Sequence, residues 1–308
     1  MKQSITWPDG KAFAFTIFDD TDYATMDNVP EVYAFLADLG FRTTKSVWPI
    51  GAAAPVLSRG ATCEDEEYVA WLRDLQARGF ELGYHMASYA SSRRGDTIRA
   101  LDRFKQLFGG YPRAMSNHSG CIENIYWGDA RISGMNRLSF NVLTALRYHN
   151  RYQGHVEGSD YFWGDVCRER IEYVRNFIFP DTNTLKAVPF MPYRDASRPY
   201  VNYWFAASDG AEKRAFAACI SEANQERLEE EGGACLMYAN LACGFYAGGQ
   251  LDERFERLMR LLSRRNGWFV PVSTLLDYLR QQNGDHVITK DERHELEKQW
   301  LHHRLRVG

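Results

Sequence analysis

Short apolar runs alternate with helical patterns along most of this sequence, and this alternation limits its possible folds more than any other feature. Residues 11–18 read as a buried strand, and residues 29–39 follow with helical spacing, from Pro30 near the start to a stop at Gly40. Strands that alternate with helices are joined by crossovers and therefore run parallel. Because the pattern recurs along the chain, it predicts an α/β barrel more than an open sheet.

The middle of the chain, residues 119–210, is rich in tryptophan, tyrosine, arginine and asparagine and has weaker periodicity. We expect one barrel domain over residues 1–308, with a charged helical tail from about residue 285. Further strands are predicted at residues 41–48, 80–84, 113–116, 187–191, 234–239 and 268–272. Further helices are predicted from a Thr62 cap to Gly79, at residues 97–108, 212–230, 251–265 and 290–306, and after a Ser273 cap.

Composition excludes several classes of protein. The chain has 308 residues, 45% apolar and 25% charged, which is typical of a soluble globular protein with a substantial core. A net charge of −3 argues against general nucleic-acid or anionic-membrane binding. The six cysteines form no CxxC pair, and no signal peptide or membrane-length apolar run is visible, so we expect reduced thiols and a cytoplasmic protein. The sequence leaves open whether the chain forms a homo-oligomer.

Five polar residues stand at or just after predicted strand ends: Asp19, Asp20, His85, His118 and Asn240. In an α/β barrel the C-terminal ends of the strands meet at one rim, where the working groups of such proteins gather. No GxGxxG follows the first strand, which weakens a dinucleotide-binding interpretation. We therefore expect these five side chains to converge on one candidate site.

Clustered carboxylates repel one another, so Asp19 and Asp20 need a reason to be adjacent. A divalent cation would neutralise them, and His85 supplies an imidazole, which is a common ligand for zinc and other transition metals. Aspartate and histidine ligands with open coordination positions form hydrolytic sites, in which the metal polarises a carbonyl and lowers the pKa of bound water. Asp22, two residues on, is expected to be a turn residue rather than a ligand.

Five stretches of the sequence resemble, in order, the motifs of NodB-type polysaccharide deacetylases, also called carbohydrate esterase family 4. The resemblance covers roughly residues 11–280 and is weakest between 119 and 230. It implies an irregular (β/α)7 barrel that hydrolyses N-acetyl or O-acetyl groups on sugars with a divalent metal, most simply zinc. The stretches are FTIFDDTD, FELGYHMASYASS, FKQLFGGYPRAMSNH, GGACLMYANLACGF and GWFVPVSTLLDYL.

The resemblance implies a role for three residues. Asp19 matches the general base that activates water, Asp20 the metal-binding acid, and His85 the first metal-binding histidine. Two departures are prominent: Tyr89 stands where the second metal histidine is expected, and Asn240 stands where the catalytic histidine is expected.

Two further departures concern the first and third motifs. Thr21 replaces a glycine, and Asn117-His118 replaces an arginine-proline pair. Three interpretations follow: His118 is a replacement third ligand, Tyr89 coordinates or lines the site, or the metal has been lost. We favour His118, because its small neighbours in SNHSG would let a metal approach.

Substrate contacts are predicted for Tyr89, Asn117 and Trp163. Sugar rings stack on exposed aromatic faces, although most aromatic side chains belong to protein cores. Asn240 either donates a hydrogen bond to a developing oxyanion or marks the loss of acid catalysis, and His118 is the alternative proton donor if it is not a ligand.

The sequence thus predicts a metal-dependent hydrolase that removes acetyl groups from a sugar or a related amide or ester. Its partner would be a small molecule or a glycan. Two alternatives remain open: an allantoinase-like or imidase-like amidohydrolase, and a non-catalytic carbohydrate-binding protein. Tyr89 and Asn240 are the residues that favour the second alternative.

Overall fold

A computed structural model describes residues 5–52 and 59–307 of the chain. Its strands are β1 Phe13–Asp19, β2 Thr44–Val47, β3 Glu81–Tyr84, β4 Ala114–Met115, β5 Tyr173–Phe179, β6 Tyr193–Arg194, β7 Tyr203–Gly210, β8 Ala234–Ala239, β9 Tyr246–Ala247, β10 Gln250–Leu251, β11 Gly267–Phe269 and β12 His286–Val287.

The helices surround these strands. They are α1 Val29–Asp38, α2 Glu66–Ala77, α3 Arg94–Phe108, α4 Gly134–Leu143, α5 Gly164–Arg170, α6 Thr184–Ala187, α7 Lys213–Cys219, α8 Glu222–Glu231, α9 Glu253–Ser263, α10 Val272–Asn283 and α11 Lys290–Val307, with short 3₁₀ helices at Pro8–Gly10 and Gly128–Arg131. None of the described helices is both long and apolar enough to cross a membrane.

Seven parallel strands close into a barrel in the order β1, β2, β3, β4, β5, β7, β8 and back to β1. Closure occurs between β8 and β1, which pair from Ala14 with Ala234 to Asp19 with Ala239. The (β/α)7 barrel implied by the sequence resemblance is therefore confirmed. Since all seven strands run the same way, their C-terminal ends lie on one rim.

Five of the described strands lie outside this closed ring. β11 adds to the lower part of β1, β6 pairs antiparallel with β7, and β12 follows β6. β9 and β10 form a separate hairpin. Every residue of β1 is buried, because this strand has neighbours on both sides and is covered on both faces. This explains why β1 reads as an almost unbroken apolar run.

Several sequence predictions need correction. The strand predicted at residues 187–191 is wrong, since α6 ends at Ala187 and the next strand begins at Tyr193. The helix predicted at residues 212–230 is two helices, α7 and α8, separated at Ile220 and Ser221. Ser273 lies inside α10 rather than before it.

Two barrel strands of the middle region, β5 and β7, were not predicted at all. β5 carries Arg175 and Asn176 in the middle of its apolar residues, and both are buried. These polar residues interrupt the hydrophobic pattern on which a strand prediction depends. Arg175 is buried together with Asp20, its ion-pair partner just after β1.

Candidate active site at the barrel rim

Asp22, His85 and His118 come together at the rim, and we call them the rim triad. Asp22 follows β1, His85 follows β3 and His118 follows β4. His85 Nε2 lies 3.1 Å from Asp22 Oδ2, and His118 Nδ1 lies 3.3 Å from both Asp22 Oδ1 and His85 Nε2. One donor atom from each residue lies within 4.8 Å of the other two, so the triad could hold a metal ion.

The backbone is strained directly after two members of the triad. Tyr23, which follows Asp22, has φ 61°, and Met86, which follows His85, has φ 67°. Bulky residues rarely adopt this left-handed conformation, which costs about 1–3 kcal/mol unless the surroundings impose it. Such strain clusters at functional sites, and here it turns the chain immediately after each side chain enters the triad.

A short hydrogen-bonded chain fixes the proton on His85. Ser116 Oγ donates its only proton to Asp20 Oδ1 at 2.9 Å, because a carboxylate can only accept. The contact of 2.7 Å between Ser116 Oγ and His85 Nδ1 must therefore have His85 as the donor. In neutral His85, the lone pair of Nε2 then faces the Asp22 carboxylate and His118 Nδ1, so this nitrogen is placed to accept a proton or to bind a cation.

The second histidine of the triad is held in its neutral form. Burial, with His85 beside it, lowers the pKa of His118 from 6.5 to about 4, although Asp22 and Asp20 act in the opposite direction. A neutral imidazole is the form that binds metals. The donor set of one carboxylate and two imidazoles, with its outer hydrogen bond to Ser116, therefore fits a zinc-like divalent ion.

Asp20, the predicted ligand, has a different partner. Arg175 on β5 donates two hydrogen bonds to the Asp20 carboxylate, one of 3.0 Å to Oδ1 and one of 2.6 Å to Oδ2. Asp20 Oδ1 also lies 3.7 Å from His85 Nδ1, the nitrogen that faces away from the triad centre. Asp22 lies in a turn, as expected, and this turn after Asp20 places its carboxylate beside both histidines.

Asp19, the predicted base, is enclosed beneath the rim. Lys45 Nζ lies 3.1 Å from Oδ2, the Tyr33 hydroxyl donates to Oδ2 at 2.9 Å, and the Leu241 backbone N–H donates to Oδ1 at 2.8 Å. Burial raises the pKa of Asp19, and Lys45 and Leu241 offset part of that rise. Asp19 is completely buried, and the described residues that line the site cavity include Asp20 but not Asp19. In this structure it joins β1 to β2 and to the loop after β8.

The two asparagines of the predicted site both line the cavity. The amide of Asn117 makes two hydrogen bonds to one residue, since it donates to the carbonyl of Ile125 at 3.0 Å and accepts from the N–H of Ile125 at 2.9 Å. It therefore shapes the loop after β4. Oδ1 of Asn240, by contrast, is buried with no hydrogen-bond partner in the described part of the chain, and its amide is available to a ligand.

Two predicted substrate contacts lie elsewhere. Trp163 is completely buried, donates its indole N–H to the carbonyl of Glu123 at 2.7 Å and packs edge-on against Tyr84, so it belongs to the core. The hydroxyl of Tyr89 donates to the carbonyl of Ala52 at 2.8 Å. Its ring packs against Trp48, whose centroid lies 5.6 Å from that of His118, so Tyr89 supports the triad from behind.

The rim triad opens into a cavity of about 560 Å³, a volume suited to a small ligand. Its far side, here called the outer wall, is built by the 3₁₀ helix Gly128–Arg131, by α4 and by α11. Gly128 has φ 61°, and a Cβ there would lie 2.7 Å from the ring of Tyr152, so this turn requires glycine. The side chains of the outer wall are Trp127, just before the 3₁₀ helix, Arg131, Phe140 of α4, Tyr152 of the loop after α4 and Trp300 of α11.

The polar residues of the cavity that the sequence did not predict include Arg131, Arg175 and His303. Arg131 and Arg175 lie in the weakly periodic middle region, and His303 lies in the tail, where it was expected to be solvated. The apolar residues of α11, Leu296, Trp300 and Leu301, were the available signal, because all three are buried against the body of the protein.

No family model and no curated protein sequence matches the chain. A solved structure from Mycobacterium smegmatis, classed as a polysaccharide deacetylase, aligns with TM-score 0.51 and 12% identity over 93% of this chain and 97% of that one. PuuE allantoinase aligns with TM-score 0.49 and 10% identity over 89% and 92% of the two chains. A protein from Pseudomonas aeruginosa PAO1, also classed as a polysaccharide deacetylase, aligns with 0.48 and 10% over 90% and 93%.

The first of these similarities shows that the chain has the fold of the Mycobacterium smegmatis protein, as the sequence resemblance implied. Fold and site together define a class, an α/β barrel with one carboxylate and two imidazoles converging at the C-terminal rim.

Proposed function

We propose that this protein is a metal-dependent hydrolase that removes an acyl group, in the simplest case acetyl, from a sugar or a related amide or ester. The observation that carries the proposal is the rim triad, in which a carboxylate and two imidazole nitrogens face one another at the mouth of the cavity. Asp22, His85 and His118 would hold a divalent ion, most simply zinc. Such an ion supplies Lewis acidity that polarises the scissile carbonyl.

The roles of the acids shift along the chain relative to the family pattern. Asp20 lines the cavity beside His85. Asp20, rather than Asp19, is therefore the proposed general base. Asp22, rather than Asp20, is the proposed carboxylate ligand of the metal. Arg175 orients the Asp20 carboxylate with its two hydrogen bonds.

In the reaction, a water oxygen adds to the acyl carbon while Asp20 takes one proton from that water. The Asn240 amide lines the cavity and donates a hydrogen bond to the carbonyl oxygen as negative charge develops on it. The bond from the acyl carbon to the leaving nitrogen or oxygen then breaks, and the proton held by Asp20 passes to that leaving atom. The products are a carboxylic acid and an amine or an alcohol.

Metal affinity provides the first test. Protein stripped with a chelator and reloaded with zinc should bind one ion, and Asp22→Ala, His85→Ala and His118→Ala should each abolish loading. Asp27→Ala, an exposed acid five residues after Asp22, is the matched control and should bind normally. Normal loading of Asp22→Ala together with loss in Asp20→Asn would return the ligand role to Asp20.

Turnover provides the second test, on a panel of acetylated amino sugars, sugar esters and cyclic amides. Asp20→Asn should keep the metal and lose turnover by about a hundredfold or more, since a general base contributes about 10²–10⁴-fold. Turnover of cyclic amides alone would identify an amidohydrolase of the allantoinase or imidase kind. Metal binding without turnover of any class would favour a non-catalytic carbohydrate-binding protein.

A further inference from the structure

Arg131 is a buried cation in the outer wall that the proposed reaction does not use. Only 6% of the residue is exposed. Its guanidinium carbon lies 3.4 Å from the centroid of the Trp127 ring and 4.8 Å from that of Trp300. The two indoles cover the guanidinium through cation–π contacts, which satisfy its faces but not its N–H edges.

The N–H edges of Arg131 lack partners. Nε and Nη2 are buried and make no hydrogen bond to any described residue, and no described carboxylate lies within ion-pair distance. Burial lowers the pKa of Arg131, and repulsion from Arg304 adds to the effect. An uncompensated buried charge costs several kcal/mol, so the fold maintains this arrangement against a substantial penalty.

Arg131 shares its cavity with the rim triad. Asp22, His85 and Arg131 line the same cavity, so a ligand bound at Arg131 would occupy the space next to the rim triad. The other cations of this cavity are not equivalent to Arg131. Arg175 is occupied by Asp20, and Arg304 is exposed at the end of α11. The buried part of the outer wall therefore offers a single positive charge without a counter-charge.

We propose that Arg131 is the binding site for a carboxylate group of the ligand that occupies this cavity. A planar carboxylate matches the planar edge of a guanidinium, and its single negative charge matches the single uncompensated positive charge. If the proposed function is correct, on which this extension rests, the substrate is an acidic one: an acylated sugar or amine that carries a carboxylate. Neutral acylated sugars would then be poor substrates.

Binding of simple anions tests the site without turnover or metal. Benzoate and its neutral analogue benzamide are titrated into the 308-residue chain, with tryptophan fluorescence as the readout because Trp127 and Trp300 flank Arg131. We expect saturable benzoate binding in the millimolar range, about tenfold to a hundredfold tighter than benzamide binding. Absence of saturable benzoate binding, or equal binding of the two probes, would overturn the proposal.

Variants assign the effect to one side chain. Arg131→Met keeps the volume and should remove the preference for benzoate, whereas Arg131→Lys should keep part of it. Arg147→Met is the matched control, since Arg147 also stacks on an aromatic ring but is exposed and does not line the cavity. An unchanged preference in Arg131→Met would refute the assignment. If that variant does not fold, the comparison of the two probes on the natural protein still decides the question.

Inorganic phosphate is titrated as a third probe. Phosphate binding tighter than benzoate binding would contradict the carboxylate assignment and indicate a doubly charged ligand. Failure of this site is distinguishable from failure of the proposed function, because the probes report on Arg131 in the metal-free protein. Loss of zinc binding in Asp22→Ala with retained benzoate binding would show that the rim triad and the anion site act independently.

Discussion

The two sides of the cavity differ in whether their buried charges have partners of opposite charge. On the barrel side, the two buried aspartates at the end of β1 each have a buried cationic partner: Asp19 pairs with Lys45, and Asp20, the next residue, pairs with Arg175. In the outer wall, Arg131 lies between aromatic rings, and no carboxylate in the described part of the chain is within ion-pair distance of it. A buried charge can therefore be compensated by an opposite charge, as on the barrel side, or be covered by aromatic rings, as Arg131 is.

The two sides also differ in origin. The rim groups lie at the ends of neighbouring barrel strands, so the barrel itself brings them together. The outer wall joins a 3₁₀ helix and α4 from the middle of the chain to α11 from its end. Glu297 connects α11 to the start of α4. Its buried carboxylate accepts hydrogen bonds from the backbone N–H and the hydroxyl of Ser133, just before α4, at 3.0 Å each.

The largest effect is expected at the base of the rim. Lys45→Met leaves the buried Asp19 carboxylate without its cation and should lower the free energy of unfolding by about 3–5 kcal/mol. The double variant Asp19→Asn/Lys45→Met removes both charges and should recover much of that loss. Urea unfolding of both single variants and the double variant measures the coupling, and additive effects would show that the pair has no structural role.

The outer wall should respond to the loss of its docking residue. Trp300 is 3% exposed and packs against Phe140 and Phe177, with ring centroids 5.7 and 5.5 Å away. Trp300→Ala should therefore cost about 3 kcal/mol or more, while the zinc affinity of the rim stays unchanged. Leu305→Ala, 54% exposed on the same helix, is the control and should cost little. A parallel loss of zinc affinity would show that the two sides are not separable.

The hydrogen bond behind the triad should have a smaller effect. Ser116→Ala removes the acceptor of the His85 Nδ1 proton, and we expect zinc affinity to fall about 10- to 100-fold, as is usual for the outer partner of a ligand histidine. Calorimetric titration with zinc measures the change. Ser46→Ala, which removes another buried serine hydroxyl bonded to the Asp19 carbonyl, is the matched control. Equal affinities of both variants would contradict the proton assignment.

The smallest effect is a pH dependence in the loop between rim and wall. Burial raises the pKa of Glu123 from 4.5 to about 7, so its contribution to stability is complete below pH 4.5 and is lost as the pH rises through 7. Between pH 5 and pH 8 this residue should account for a loss of about 2 kcal/mol. Glu123→Gln should remove that part of the loss in urea unfolding. If the pH dependence of stability is the same in Glu123→Gln, ionisation of Glu123 does not lower the free energy of unfolding.

Much of the barrel could be predicted from the sequence because its first strands are short apolar runs between clear helices. β8 occupies the predicted residues 234–239, and β1, β3 and β4 lie within two residues of their predicted ends. β5 and β7 were missed because buried polar residues, such as Arg175, break the apolar pattern. A buried arginine cannot be anticipated without its partner, and Asp20 is 155 residues away in the chain.

The sequence by itself determined that His85 and His118 would meet at the rim, because parallel strands place their ends together. The roles of Asp19, Asp20 and Asp22 were decided only by the tertiary structure. Adjacent residues on a strand end point in different directions, and which of them meets a lysine, an arginine or a histidine depends on strands far away in the sequence. The same holds for Arg131, whose burial between two indoles exists only once α11 has docked.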